Sequence, residues 1–85
     1  KQLSFNQLSR DVYQETYEIR VRNRKDSDTV EVRVPERLSR WSNWEILNSS
    51  HTFTKTDSAT IEFRVDVPPQ GETVITYTVQ YVFNQ

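Results

Sequence analysis

The sequence predicts an all-β fold: an immunoglobulin-like or fibronectin-like antiparallel β-sandwich of about six or seven strands. Three observations predict it. Apolar residues recur at every second position along several stretches, the spacing of strands with one buried face. Clusters of Asn, Asp, Ser, Pro and Gly interrupt them about every 8 to 12 residues, as turns would. No stretch of any length shows the i, i+3, i+4, i+7 pattern of an amphipathic helix.

In chain order, residues 1–10 carry the weakest pattern. Leu3, Phe5 and Leu8 there form a first strand or a loosely ordered lead. From Tyr13 the odd positions read Tyr13, Glu15, Tyr17, Ile19 and Val21, and the even positions Gln14, Thr16, Glu18, Arg20 and Arg22. One face is apolar and the other charged. Asn23 to Asp28 is a polar turn. Val30, Val32 and Val34 then alternate with Glu31 and Arg33, and this pair of strands is predicted to form a long antiparallel hairpin.

Pro35 lacks an N–H and is predicted to end regular pairing. Leu38 to Arg40 is a connection. Trp44 and Ile46, with Glu45 between them, begin another strand, and Asn48 to Ser50 is a loop. His51 to Thr56 is a short Thr-rich strand with Phe53 as its apolar anchor. Lys55 suits it to an edge, where charge discourages pairing between molecules. Asp57-Ser58 turns the chain. Ile61, Phe63, Val65 and Val67 alternate with Glu62, Arg64 and Asp66. Pro68-Pro69-Gln70-Gly71 is a turn holding the only glycine. Ile75, Tyr77, Val79, Tyr81 and Phe83 share the face of a last strand, opposite Val74, Thr76, Thr78, Gln80 and Val82. Outward charges alternate in sign (Glu18/Arg20, Glu31/Arg33, Glu62/Arg64), which predicts cross-strand ion pairs of roughly 0.2–1 kcal/mol each.

Eighty-five residues make a single domain spanning 1–85. The net charge of -1 and the pI of about 5.8 give no electrostatic footprint for nucleic acid or an anionic membrane. Mean hydropathy is low, at -0.80, but 12% of residues are aromatic, and each aromatic buries a large area. With no cysteine, the fold stands on packing alone. With no methionine, even at position 1, the chain is expected to be a processed product or a piece of a longer protein. No apolar run approaches the ~20 residues that span a bilayer, so no direct membrane insertion by this domain is expected.

Several segments resemble a known family. Tyr17-Glu18-Ile19-Arg20-Val21-Arg22-Asn23-Arg24-Lys25, Trp44-Glu45-Ile46, Thr60-Ile61-Glu62-Phe63, and Val67-Pro68-Pro69-Gln70-Gly71-Glu72 followed by Tyr77 carry the likeness. Together they resemble the C-terminal part of the bacterial domain of unknown function 4139 family, which is similar to the C-terminal region of mucoidy-inhibitor-A-like proteins. The resemblance covers about residues 12 to 83. It implies an all-β module at the end of a larger bacterial protein, in the cell envelope or secreted. It brings no catalytic residues to carry over.

The candidate chemistry is sparse. His51 is the only histidine. A Ser-His-Asp arrangement would join it to Ser49 or Ser50 and to an acid such as Asp57, yet no nucleophile elbow or Gly-rich oxyanion loop accompanies it. His51 therefore reads as a surface loop residue. One histidine and no cysteine leave zinc only carboxylates. The acid pairs Glu15/Glu18, Asp26/Asp28 and Glu62/Asp66 would serve a glycosidase only across a cleft, about 5–9.5 Å apart. Strand alternation instead points Glu18, Glu31, Glu62 and Asp66 at water beside arginines. Asp26 and Asp28 lack the glycine of a calcium loop and lie beside Arg24 and Lys25. The basic residues Arg20, Arg22, Arg24, Lys25, Arg33 and Arg37 are interleaved with acids, which argues against nucleic acid. Asn48-Ser49-Ser50 fits the N-glycosylation pattern, which matters only on a eukaryotic secretory route.

Trp41 and Trp44 differ by three positions, so in a regular strand they face opposite ways. Trp44 is predicted to join the core and Trp41 the rim. The expected function is a non-enzymatic structural or interaction module without cofactor or metal, monomeric in isolation, contacting a protein or glycan through Trp41, Ser49, Ser50 and His51. The His51–Thr56 edge offers strand addition. The alternative is a carbohydrate-binding module that stacks Trp41 on a sugar.

Overall fold

The structure, a computed structural model, describes residues 1–38 and 43–83. These form seven strands and no helix: β1 (Gln2–Ser9), β2 (Val12–Arg22), β3 (Val30–Arg37), β4 (Trp44–Ser49), β5 (Phe53–Asp57), β6 (Thr60–Val67) and β7 (Glu72–Val82). Two antiparallel sheets, ordered β1-β2-β7-β4 and β3-β6-β5, pack face to face as a small β-sandwich. Constant-type immunoglobulin sheets run first-second-fifth-fourth and third-sixth-seventh. Here the seventh strand lies between the second and fourth, and the fifth flanks the sixth.

The period-two pattern sets which side chains meet. Ile61, Phe63, Val65 and Val67 of β6 face Ile75, Tyr77, Val79 and Tyr81 of β7, and all eight are buried together with Leu38. Tyr17, Ile19 and Val21 from β2, Val32 and Val34 from β3, and Trp44 and Ile46 from β4 close the flanks. Aromatic rings form the middle of this core. Tyr17 stacks on Tyr77 at 5.5 Å, and Phe63 tilts against Tyr77 at 5.5 Å. Such pairs add about 0.5–1.5 kcal/mol beyond their buried area. Glu15 shares the inward face of β2 and is buried, accepting a hydrogen bond from the Tyr17 hydroxyl. A buried carboxylate is tolerated only with such partners.

The expected hairpin between Tyr13–Arg22 and Val30–Val34 does not form. β2 pairs with β1 and β7, while β3 pairs with β6 in the other sheet. The segment between them crosses from sheet to sheet, because each strand buries its apolar face against the opposite sheet rather than beside its neighbour in sequence. Pro35 does not end pairing either. It sits inside β3 opposite Glu62, on an edge strand, where one missing N–H costs little.

Three boundaries also move. β4 runs through Asn48 and Ser49, residues expected in a loop, and pairs them with Thr78 and Tyr77. β5 begins at Phe53 rather than His51. Residues 2–9 form a complete eight-residue strand. Trp44 is half-buried against the core, its Nε1–H donating to the Ser58 carbonyl at 3.0 Å. The Lys55 ammonium lies 5.0 Å from its ring centre.

The expected cross-strand ion pairs form between β2 and β7, while other pairs lie within one strand. Arg20 bonds Glu18 within its own strand at 2.9 Å, and both Arg20 and Arg22 reach Glu72 on β7 at 3.5 Å. Arg64 pairs with Glu62 at 3.6 Å. Across β3 and β6, like charges stand opposite: Glu31 faces Asp66 and Arg33 faces Arg64.

In the Pro68–Gly71 turn, Gln70 adopts the left-handed conformation, with φ of 51°. Gly71 is required for space, since a Cβ there would lie 2.6 Å from Pro68 Cγ.

Candidate functional site

Ser49, Ser50 and His51 are brought together at the β4–β5 connection. The Ser49 hydroxyl donates to the His51 carbonyl at 2.8 Å. Ser50 Oγ lies 2.7 Å from His51 Nδ1 and accepts the Thr76 N–H at 2.9 Å. The Ser50 N–H donates to the Thr76 carbonyl at 2.8 Å, so the loop continues the β4–β7 ladder by one residue. These bonds hold a loop against a strand.

Asp57 does not join this pair. Its carboxylate accepts the Ala59 N–H at 2.8 Å in the β5–β6 turn. That bond, then one from Thr60, holds its pKa below the ordinary value of 3.8. The Ser-His-Asp arrangement weighed in the sequence is therefore not assembled. Trp41 lies outside the described residues.

Of the acid pairs, Glu15 and Glu18 are turned to opposite faces of β2, Glu15 inward to Tyr17 and Glu18 outward to Arg20. Asp26 accepts a hydrogen bond of 2.5 Å from Gln70 Nε2. Among the described residues, no three His, Asp or Glu side chains are placed to hold a metal ion.

Sequence reasoning missed an end of the sandwich where two clefts form. The β2–β3 crossover and the β6–β7 turn meet there. The Asn23 N–H donates to the Gly71 carbonyl, and the Gln70 N–H to the Lys25 carbonyl, each at 3.0 Å. Asn23, buried, organises this end. Its Nδ2 donates to the carbonyls of Asp28 (2.7 Å) and Val67 (3.0 Å), and its Oδ1 accepts the Lys25 N–H at 2.9 Å. One cleft is lined by Arg22, Asn23, Arg24, Gln70 and Gly71. A second, more apolar, shares Arg22, Asn23 and Arg24 and adds Lys25, Val30 and Val32. Guanidinium and amide donors beside valines can receive a polar group attached to an aliphatic one. The only sequence signal was Asn23 itself, a polar residue at the inward position where the alternation of β2 ends.

No family model, no curated protein and no solved structure matches this chain.

Proposed function

We propose that this domain is a non-enzymatic structural or interaction module, at the C-terminus of a bacterial envelope protein as the resemblance of its strand motifs suggests. The observation that supports this reading is how its reactive groups are used. Ser50 and His51 fasten the β4–β5 loop to β7, Glu18, Glu62 and Glu72 pair with surface arginines, and Glu15 is enclosed with Tyr17. A serine-hydrolase reaction needs a nucleophile, a base and oxyanion donors converging on one point. These groups are instead spread over the framework.

Contact with a partner then falls to the Ser49–His51 loop and to the cleft at the Arg22–Lys25 end. The glycan alternative depends on Trp41 and has no described geometry behind it.

Two measurements on the 85-residue chain test the proposal. Selection from a displayed peptide library should yield binders whose affinity falls on Arg24→Ala or His51→Ala, while thermal unfolding of both variants stays near that of the parent chain. Turnover of ester, phosphate or glycoside substrates that disappears in His51→Ala would overturn it.

A further inference from the structure

The two clefts where the β2–β3 crossover meets the β6–β7 turn are lined by cations and by no described aspartate or glutamate. Arg22 and Arg24 line both, and Lys25 lines the more apolar one. The nearby acids are drawn elsewhere. Asp26 is engaged by Gln70 Nε2 at 2.5 Å, and Glu72 by Arg20 and Arg22 at 3.5 Å each. Arg22 reaches Glu72 only through Nε. Among the described residues, no carboxylate pairs with Arg24 or Lys25.

The backbone that carries these cations is fixed on both sides of Arg24. The Asn23 N–H is bonded to Gly71 and the Lys25 carbonyl to Gln70, each at 3.0 Å. A site fixed before binding loses less freedom when a ligand arrives. Beside the cations stand Val30 and Val32, half-buried on the inward side of β3.

This arrangement selects a ligand. A guanidinium matches a carboxylate with two parallel N–H bonds. Two guanidiniums, one of them shared with Glu72, suit a single negative charge better than the near-double charge of a phosphate monoester. The valines favour hydrocarbon next to that charge. The clefts measure about 340 and 450 Å³, which leaves room beyond a small free acid for the residues that precede a chain terminus.

We propose, resting on the reading of this end as a contact surface, that the clefts capture the C-terminal carboxylate of a peptide or protein ending in a branched aliphatic residue. Arg22 and Arg24 take the carboxylate, and Val30 and Val32 take the last side chain.

The probe is the peptide Gly-Ser-Gly-Ser-Ala-Val with a fluorophore on its N-terminus, followed by anisotropy against the 85-residue chain. It should bind saturably. Amidation of its terminus, or a final Ser in place of Val, should weaken binding by about tenfold or more. Arg24→Gln should do the same, and Arg22→Gln in the same direction, while Arg33→Gln, outside both clefts, should leave it unchanged. Circular dichroism would confirm that all three variants stay folded. Equal binding of the free and amidated peptides, both lost in Arg24→Gln, would overturn carboxylate capture and leave this end a contact surface. No binding of either form, or binding indifferent to Arg24→Gln, would overturn capture and remove this end from the contact surfaces. Displacement of the peptide by an equal concentration of 3-methylbutanoate or inorganic phosphate would overturn the chain terminus as the ligand.

Discussion

The hydroxyl of Tyr77 donates a 2.9 Å hydrogen bond to Glu36, tying β7 of one sheet to β3 of the other through the core. Burial first, and then this bond to a carboxylate, raise the Tyr77 pKa above its ordinary value of 10.0. The phenol therefore stays protonated in the fold after the unfolded chain would have ionised it. Its contribution to stability is complete below about pH 10 and is lost as pH rises further. Tyr77→Phe should cost about 1–3 kcal/mol at neutral pH, because Glu36 is left half-buried without its donor. Urea unfolding at pH 7 and again near pH 11 should show a smaller alkaline loss in the variant than in the parent chain.

Phe63 and Phe53 make an internal comparison. They are register partners on β6 and β5, their rings 6.1 Å apart, but Phe63 is wholly buried and Phe53 is on the sheet edge with 37% exposed. Phe63→Ala should destabilise by about 3–5 kcal/mol, as cavity formation in a packed core does. Phe53→Ala should cost roughly a third of that or less. Chemical denaturation of the two variants should preserve this order.

Asn23 should behave as a structural joint. Asn23→Ala removes three side-chain hydrogen bonds at a buried position and strands the Asp28 and Val67 carbonyls. The expected cost is about 1–3 kcal/mol. Amide hydrogen exchange should accelerate first at Lys25 and Gln70, whose N–H groups bond to Asn23 Oδ1 and to the Lys25 carbonyl.

Asp57 provides the acid-side counterpart of Tyr77. Its pKa is lowered by the Ala59 N–H and by Thr60, so its contribution is present above the unfolded value of 3.8 and is lost as pH falls through the lowered folded value. Asp57→Asn should flatten the decline of melting temperature between about pH 5 and pH 2. A decline as steep as in the parent chain would assign the acid sensitivity to other carboxylates.

The legible part of this fold is the part governed by local alternation. The inward residues of β2, β3, β6 and β7 could be named from spacing because a strand buried on one face repeats every two positions. Partners were less legible. Val30–Val34 fits β2 as well as β6 by pattern, and only the burial of both apolar faces decides between them. β1 read weakly because its exposed side chains are selected neither for a core nor for charge. At the candidate site, Ser50 and His51 are neighbours in sequence, and their contact was accessible. The clefts were not, since Arg22–Lys25 and Gln70–Gly71 meet only after the rest of the sandwich has formed.

The position of β7 between β2 and β4 has a kinetic consequence. During synthesis on a ribosome, β3, β5 and β6 can assemble their sheet while β2 and β4 still await the strand that separates them. Closure of that second layer falls to β7, the last of these seven strands to be synthesised, a high-contact-order step of the kind that slows folding. Until it occurs, the oily side of β6 is left without its cover, and a nascent chain stalled before Glu72 would present chaperones with that surface.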